Sequence, residues 1–227
     1  MFTLIKHASL VALALPAMAL AEPITVTTHS TGIASVNPSS VYGLWMDYTS
    51  EPLDQPYELT LSTTFDWTGP LPAREEWASQ VDSQVVVDFR LGAYDYHYAG
   101  KDWSDAILYT PYSLGGDGYQ HEVWVNPHPE VYGYSFKFSH VLLGPAGSMG
   151  PDGALAPGLV EGTAPAGYFN LTAYYSNDEY TFSFPMSADV STFSVQVTSP
   201  VPEPAQFVLL AVGALTLGLR RRFGRAA

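Results

Sequence analysis

Apolar and polar residues alternate one by one along much of the chain between positions 22 and 199. Ile24-Thr25-Val26-Thr27-Thr28 and the stretch from Tyr57 to Phe65 follow that period. Val85 to Leu91 begins as a continuous apolar run and then alternates. A period of two puts every second side chain on one face of an extended strand. The pattern predicts further strands at Gln120–Val125, Tyr134–Leu142, Tyr168–Tyr175, Tyr180–Phe184 and Thr192–Thr198, separated by clusters of Gly, Pro, Asn and Asp. Only Arg74–Val81 is compatible with a helical turn. Leu143–Gly167 holds seven glycines and four prolines and reads as a long mobile loop, because strand-like sequence resumes at Tyr168. The expected fold is all-β, an antiparallel β-sandwich of jelly-roll type over residues 22–199.

The two ends break the pattern. Lys6 and His7 precede a short apolar run from Ala8 to Leu15, Pro16 interrupts it, and Ala19-Leu20-Ala21 follows. Small residues at Ala19 and Ala21 suit signal peptidase, so residues 1–21 read as a signal peptide that enters the general export machinery and is cut before Glu22. At the other end, residues 200–227 contain Pro202-Glu203-Pro204, an apolar stretch over 205–219, and then Arg220, Arg221, Arg222 and Arg225. As a helix the stretch would span roughly 22 Å, short of a hydrocarbon core of roughly 30 Å; snorkelling arginines and local thinning would cover the difference. The arginines act as a cytoplasmic stop. The expectation is a single C-terminal hydrophobic helix holding an inner-membrane-anchored precursor whose body lies outside.

The triplet, the apolar stretch and the arginine cluster, in that order and position, resemble the PEP-CTERM sorting signal of Gram-negative bacteria. The resemblance implies an exosortase as processing partner, a cut near Pro202-Glu203-Pro204, and delivery to the cell surface, outer envelope or extracellular matrix, commonly in bacteria that make extracellular polysaccharide. The body also resembles exported β domains of unassigned activity that precede this signal, with an Asp-Gly turn like Asp117-Gly118-Tyr119 and a late strand like Tyr180–Phe184. That likeness supplies no catalytic residue.

Charge narrows the partners. The 227 residues carry 9 Lys and Arg against 22 Asp and Glu. Five of the cations lie at the two ends, so residues 22–204 set four cations against 22 acids, a net charge of −18. A surface that negative repels phosphate backbones, which excludes nucleic acid as a partner. The chain has no cysteine, yet about 178 residues suffice to bury roughly 70 % of the unfolded surface in one core.

Motifs for catalysis are incomplete, and the expectation is a non-enzymatic protein. His121-Glu122 opens like a zinc-protease motif, but Val125 stands where the second histidine belongs. Ala146-Gly147-Ser148-Met149-Gly150 lacks the first glycine of a nucleophile elbow. Asp88, Asp95, Asp102, Asp105 and Glu122 offer carboxylates for glycoside hydrolysis only if two of them face each other across a cleft. No metal ligand set is expected; the turns Gly115-Gly116-Asp117-Gly118 and Pro151-Asp152-Gly153 could hold calcium but lack the ligand spacing of a calcium loop. The richest cluster is Tyr94-Asp95-Tyr96-His97-Tyr98, with Trp103 beyond it. Alternation puts the three tyrosines on one face, and aromatic faces beside carboxylates suit sugar rings. Tyr94, Tyr96, Tyr98 and Trp103 are therefore candidate contacts for extracellular polysaccharide. The leading expectation is a structural or adhesive role in the envelope or matrix, ahead of a carbohydrate-binding module and a secreted glycan hydrolase.

Overall fold

A computed structural model describes residues 22–35, 54–110, 116–126, 134–150, 152–163, 167–176 and 181–199. The sequence-predicted signal peptide and the whole segment from residue 200 onward lie outside them, including the expected helix over 205–219. Among the described residues there are nine strands and no helix, so none long and apolar enough to cross a membrane. The strands are β1 (Glu22–Ser35), β2 (Asp54–Trp67), β3 (Ala78–Leu91), β4 (Tyr94–Tyr109), β5 (Asp117–Val125), β6 (Tyr134–Gly144), β7 (Gly158–Thr163), β8 (Gly167–Ser176) and β9 (Thr181–Thr198). The helical turn allowed at Arg74–Val81 is absent: a turn at Arg74 and Glu75 leads into β3.

The expected sandwich is wrong; the sheet is a closed eight-stranded antiparallel barrel. Each strand from β1 to β6 pairs with the next, β6 pairs with β8, β8 with β9, and β9 returns to β1 from Thr25↔Thr198 to Ala34↔Ala188. A sandwich leaves edge strands, whereas this ring joins its first and last strands. β9 serves two neighbours on its other side, β8 along its first half and β7 along its second. Close approach at the seam requires a glycine. A Cβ on Gly32 would lie 2.2 Å from the Asp189 carbonyl oxygen and 2.7 Å from the Tyr57 ring, and β1 shifts register between Thr31 and Gly32.

Strand alternation sorts residues to the two sides of the wall. Thr25, Glu58, Thr64, Asp88, Arg90 and Lys101 face outward, and hydroxyls pair across strands, Thr25 with Thr64 and Thr27 with Ser62, each at 2.9 Å. A membrane barrel turns an apolar band outward, whereas these outward positions are polar.

Two apolar clusters fill the interior, one around Leu59, Phe89, Phe138 and Phe169, the other around Phe65, Leu108, Leu142 and Val195. Eight strands leave an interior that side chains can fill. A polar belt separates the clusters. Along β1 it is Thr28 and Ser30, along β2 Thr63, along β4 Ser104, along β5 His121 and along β6 His140, all fully buried. Thr28 Oγ1 lies 2.9 Å from His121 Nδ1 and 2.8 Å from His140 Nδ1. His121 Nε2 lies 2.9 Å from Thr63 Oγ1, and His140 Nε2 lies 2.8 Å from Ser30 Oγ. Ser104 donates to the Glu122 carbonyl at 2.9 Å. These partners of the ring nitrogens are neutral hydroxyls, so no carboxylate balances a charge on either buried imidazole. Burial pushes His121 down to about 3, and burial with the neighbouring imidazoles holds His140 well below its ordinary range.

The glycine- and proline-rich stretch expected as a mobile loop instead closes one end of the barrel. Met149, Ala154 and Leu155 insert into the second cluster. Gly153 bridges to Ala73, Arg74 N–H donates to the Asp152 carbonyl at 2.9 Å, and the Tyr119 hydroxyl donates to the Ala154 carbonyl at 2.8 Å. Asp117 fastens this plug, with its carboxylate paired to the Arg74 guanidinium and accepting from Gly147 N–H at 2.8 Å. The calcium reading of the Asp117 turn therefore meets a carboxylate already engaged by Arg74.

Two outcomes follow from this interior. The folded barrel excludes protons that the unfolded histidines accept, so this contribution is full above about pH 6.5 and is lost as pH drops toward 4, by about 1.4 kcal/mol per pH unit for His121, with His140 acting in the same direction. Denaturant titrations at stepped pH should show that slope in the native chain and a shallower one in His121→Gln and His140→Gln. Leu155→Ala, fully buried, should cost about 2–5 kcal/mol, and Asp117→Asn should raise hydrogen exchange at 145–157 while leaving β2 and β3 protected.

Candidate site on the outer wall

Register carries polar side chains round the outside of the ring in one row. Ser79 opposes Asp105, Asp105 opposes Glu122, Glu122 opposes Ser139, Ser139 opposes Asn170, and Asn170 opposes Ser187. Directly opposed residues on antiparallel strands point to the same face, with Cβ atoms about 5 Å apart. Two positions along, Trp103, Trp124, Lys137 and Thr172 form a second row. Between and beside these rows lies a groove of about 430 Å³ lined by Glu122, Lys137, Ser139, Asn170, Thr172, Met186 and Ser187.

The groove is organised by Glu122. Its Oε2 lies 2.8 Å from Lys137 Nζ, and its Oε1 accepts from Gln120 at 2.8 Å and Ser139 at 3.2 Å. Lys137 is thereby held 5.4 Å from the centre of the Trp124 ring, within cation–π range. Trp103 meets Trp124 edge-on at 5.9 Å. Asp105 stands beside Glu122, outside the groove's lining, with its Oδ1 buried and without a hydrogen-bond partner among the described residues. Burial raises the proton affinity of Asp105 chiefly; the Ser79 hydrogen bond opposes that, the Glu122 charge adds to it, and Lys137 offsets it.

The sequence candidates are divided by the wall. Tyr96 and Tyr98 pack inward on the first cluster, Tyr96 with ring centres 5.7 Å from Phe136 and 5.8 Å from Phe138. Tyr98 donates to Asp102, and Tyr94 is half-buried on that same side. Trp103 points outward to Trp124, so the structure does not gather the four into one surface. Outside the tyrosines lies a second groove of about 390 Å³ that includes Glu58, Asp88, Arg90, Asp95, Tyr96 and His97, where Arg90 meets Asp95 at 2.7 Å and His97 meets Asp88 at 2.6 Å. His121 and Glu122 face opposite sides of the wall, so they share no metal. No cluster of three metal-ligating groups occurs among the described residues. Ser148 sits in the plug, its hydroxyl buried without a hydrogen-bond partner among the described residues. Sequence reasoning missed Trp124, Lys137, Ser139, Asn170 and Ser187 as a group, because only register brings them together.

Outside the described residues, the chain carries the PEP-CTERM protein-sorting motif at residues 200–222, which spans Pro202, Glu203, Pro204 and Arg220 to Arg222. The motif marks an exosortase-sorted, exported protein made as a membrane-transiting precursor. No curated protein and no solved structure matches the chain.

The charges round Asp105 can be read one at a time. Glu122→Gln removes a negative neighbour and should lower the Asp105 pKa, whereas Lys137→Met should raise it further. Carboxyl-carbon NMR titration measures both shifts, and an Asp105 unmoved by either change would contradict this arrangement.

Proposed function

We propose that the protein is a non-catalytic component of the cell envelope or extracellular matrix, freed of its first 21 residues by signal peptidase and processed by exosortase near Pro202-Glu203-Pro204. The observation that carries this reading is the sorting motif joined to a barrel that is filled inside and polar outside. Among the described residues the interior is filled by two apolar clusters and a polar belt, and the two grooves lie on the outer wall. A matrix component needs a body that survives outside the cell without disulfides, and ring closure with a double core supplies that.

The absence of catalysis in this reading is supported by the way potential acids are placed. Glu122 is the one acid in the lining of its groove. In the second groove Asp95 is paired with Arg90 at 2.7 Å and Asp88 with His97 at 2.6 Å, and Glu58 lies 3.7 Å from Arg90. Glycoside hydrolysis needs two available carboxylates flanking the scissile bond. The role is then structural or adhesive.

Intact mass and cell fractionation, with and without the exosortase, test the proposal. The wild type should yield a body starting at Glu22 and lacking the arginine tail, recovered from the surface or the medium. The deletion strain should retain an uncut C-terminus in the membrane fraction. A tail that persists in both strains would contradict exosortase processing. Glycan turnover abolished by Glu122→Gln would contradict the non-catalytic role.

A further inference from the structure

We propose that the Glu122–Lys137 groove on the outer wall binds an uncharged polysaccharide, laid across β5, β6, β8 and β9 against the Trp124 side of the barrel. This deepens the matrix reading above and rests on it only in placing the barrel outside the cell. The row Glu122, Ser139, Asn170 and Ser187 crosses three inter-strand gaps, roughly 14 Å at about 4.8 Å each, which fits several linked sugar rings better than a single one. Its chemistry is mixed at short spacing: an ammonium and a side-chain amide donate, a carboxylate accepts, and three hydroxyls do either. Sugar hydroxyls need that mixture, since each both donates and accepts. A lipid chain or an apolar helix would find no continuous greasy surface here.

Charge selects among polysaccharides. Lys137 neutralises Glu122 at 2.8 Å, which leaves the groove without free charge, and the surrounding body carries −18 over residues 22–204. A uronic-acid polymer would approach against that field, while a neutral glycan would not. The same ion pair disfavours a cation as occupant, because the carboxylate already has its counter-charge. Trp124 borders Lys137 beside the groove's lining, with Trp103 edge-on to it, and its half-buried indole can meet the apolar C–H faces of sugar rings.

Affinity electrophoresis of the exported protein, recovered from the producing cells, in gels containing soluble β-glucan, galactomannan or polygalacturonate tests the inference. At least one neutral glycan should retard it, polygalacturonate should not, and Trp124→Ala and Asn170→Ala should each weaken retardation about tenfold. Lys137→Met, which frees the Glu122 charge, should weaken it as well. Thr60→Ala, in the lining of the other groove, should bind as the native protein does. Should Trp124→Ala fail to fold, Asn170→Ala decides, with near-ultraviolet circular dichroism confirming an intact barrel. Failure of both neutral glycans to retard the protein, equal retardation of native and Asn170→Ala protein, or stronger retardation by polygalacturonate would each overturn it. None of these outcomes bears on exosortase processing, which the intact-mass experiment reads separately.

Discussion

The ladder between β1 and β9 is the constraint on which the rest of the molecule depends. It joins residues more than 150 positions apart and turns an open eight-stranded sheet into a ring. Closure decides which side of each strand is enclosed, and it removes two edges that would otherwise present unpaired backbone to other chains. It also has a cost in conformational entropy, because the longest loop in the chain must close before those hydrogen bonds form. Gly32 marks where the seam is tightest, with no room for a side chain between the Asp189 carbonyl and the Tyr57 ring.

Once the ring is closed its interior has to be filled, and the chain fills it in layers. Two apolar clusters supply most of the burial, and between them six buried hydroxyl and imidazole side chains bond to one another. A belt of this kind adds little net stability over apolar packing, since each hydrogen bond replaces one to water. Its effect is directional. Thr28 reaches both imidazoles across the interior only in the register that β1 holds against β2 and β9, so a slip of one residue would leave buried polar groups unpaired. The plug works by the same logic: Asp117, at the mouth of the barrel, is neutralised by Arg74 and accepts from the backbone of the glycine-rich segment. Among the described residues, the grooves that could hold another molecule lie on the outer wall.

The faces of the strands were legible from sequence, and their arrangement was not. Tyr57, Leu59, Leu61, Thr63 and Phe65 alternate with outward residues as period two requires, but a sandwich and a barrel bury the same alternate positions. Nothing local in Thr25–Ala34 or Ala188–Thr198 announces that they pair. The glycines and prolines of 143–167 suggested one long loop, but Gly158–Thr163 forms β7, and the burial of Met149, Ala154 and Leu155 in the second cluster was not read from the sequence. The tyrosines drew the eye because they cluster in sequence, whereas Glu122, Ser139, Asn170 and Ser187 are spread over 66 positions and meet only through register. The parity of β5, with His121 inward and Glu122 outward, was implicit in the strand assignment and separates two residues that looked like one motif.

Backbone NMR of the exported protein would test ring closure most directly. Cross-strand proton contacts between β1 and β9, such as Val26 with Val197 and Thr28 with Val195, should accompany slow amide exchange on both strands. If those contacts are absent while the β1–β2 ladder persists, the sheet is open. The filled interior, the plug and the outward-facing groove would then lose their common basis.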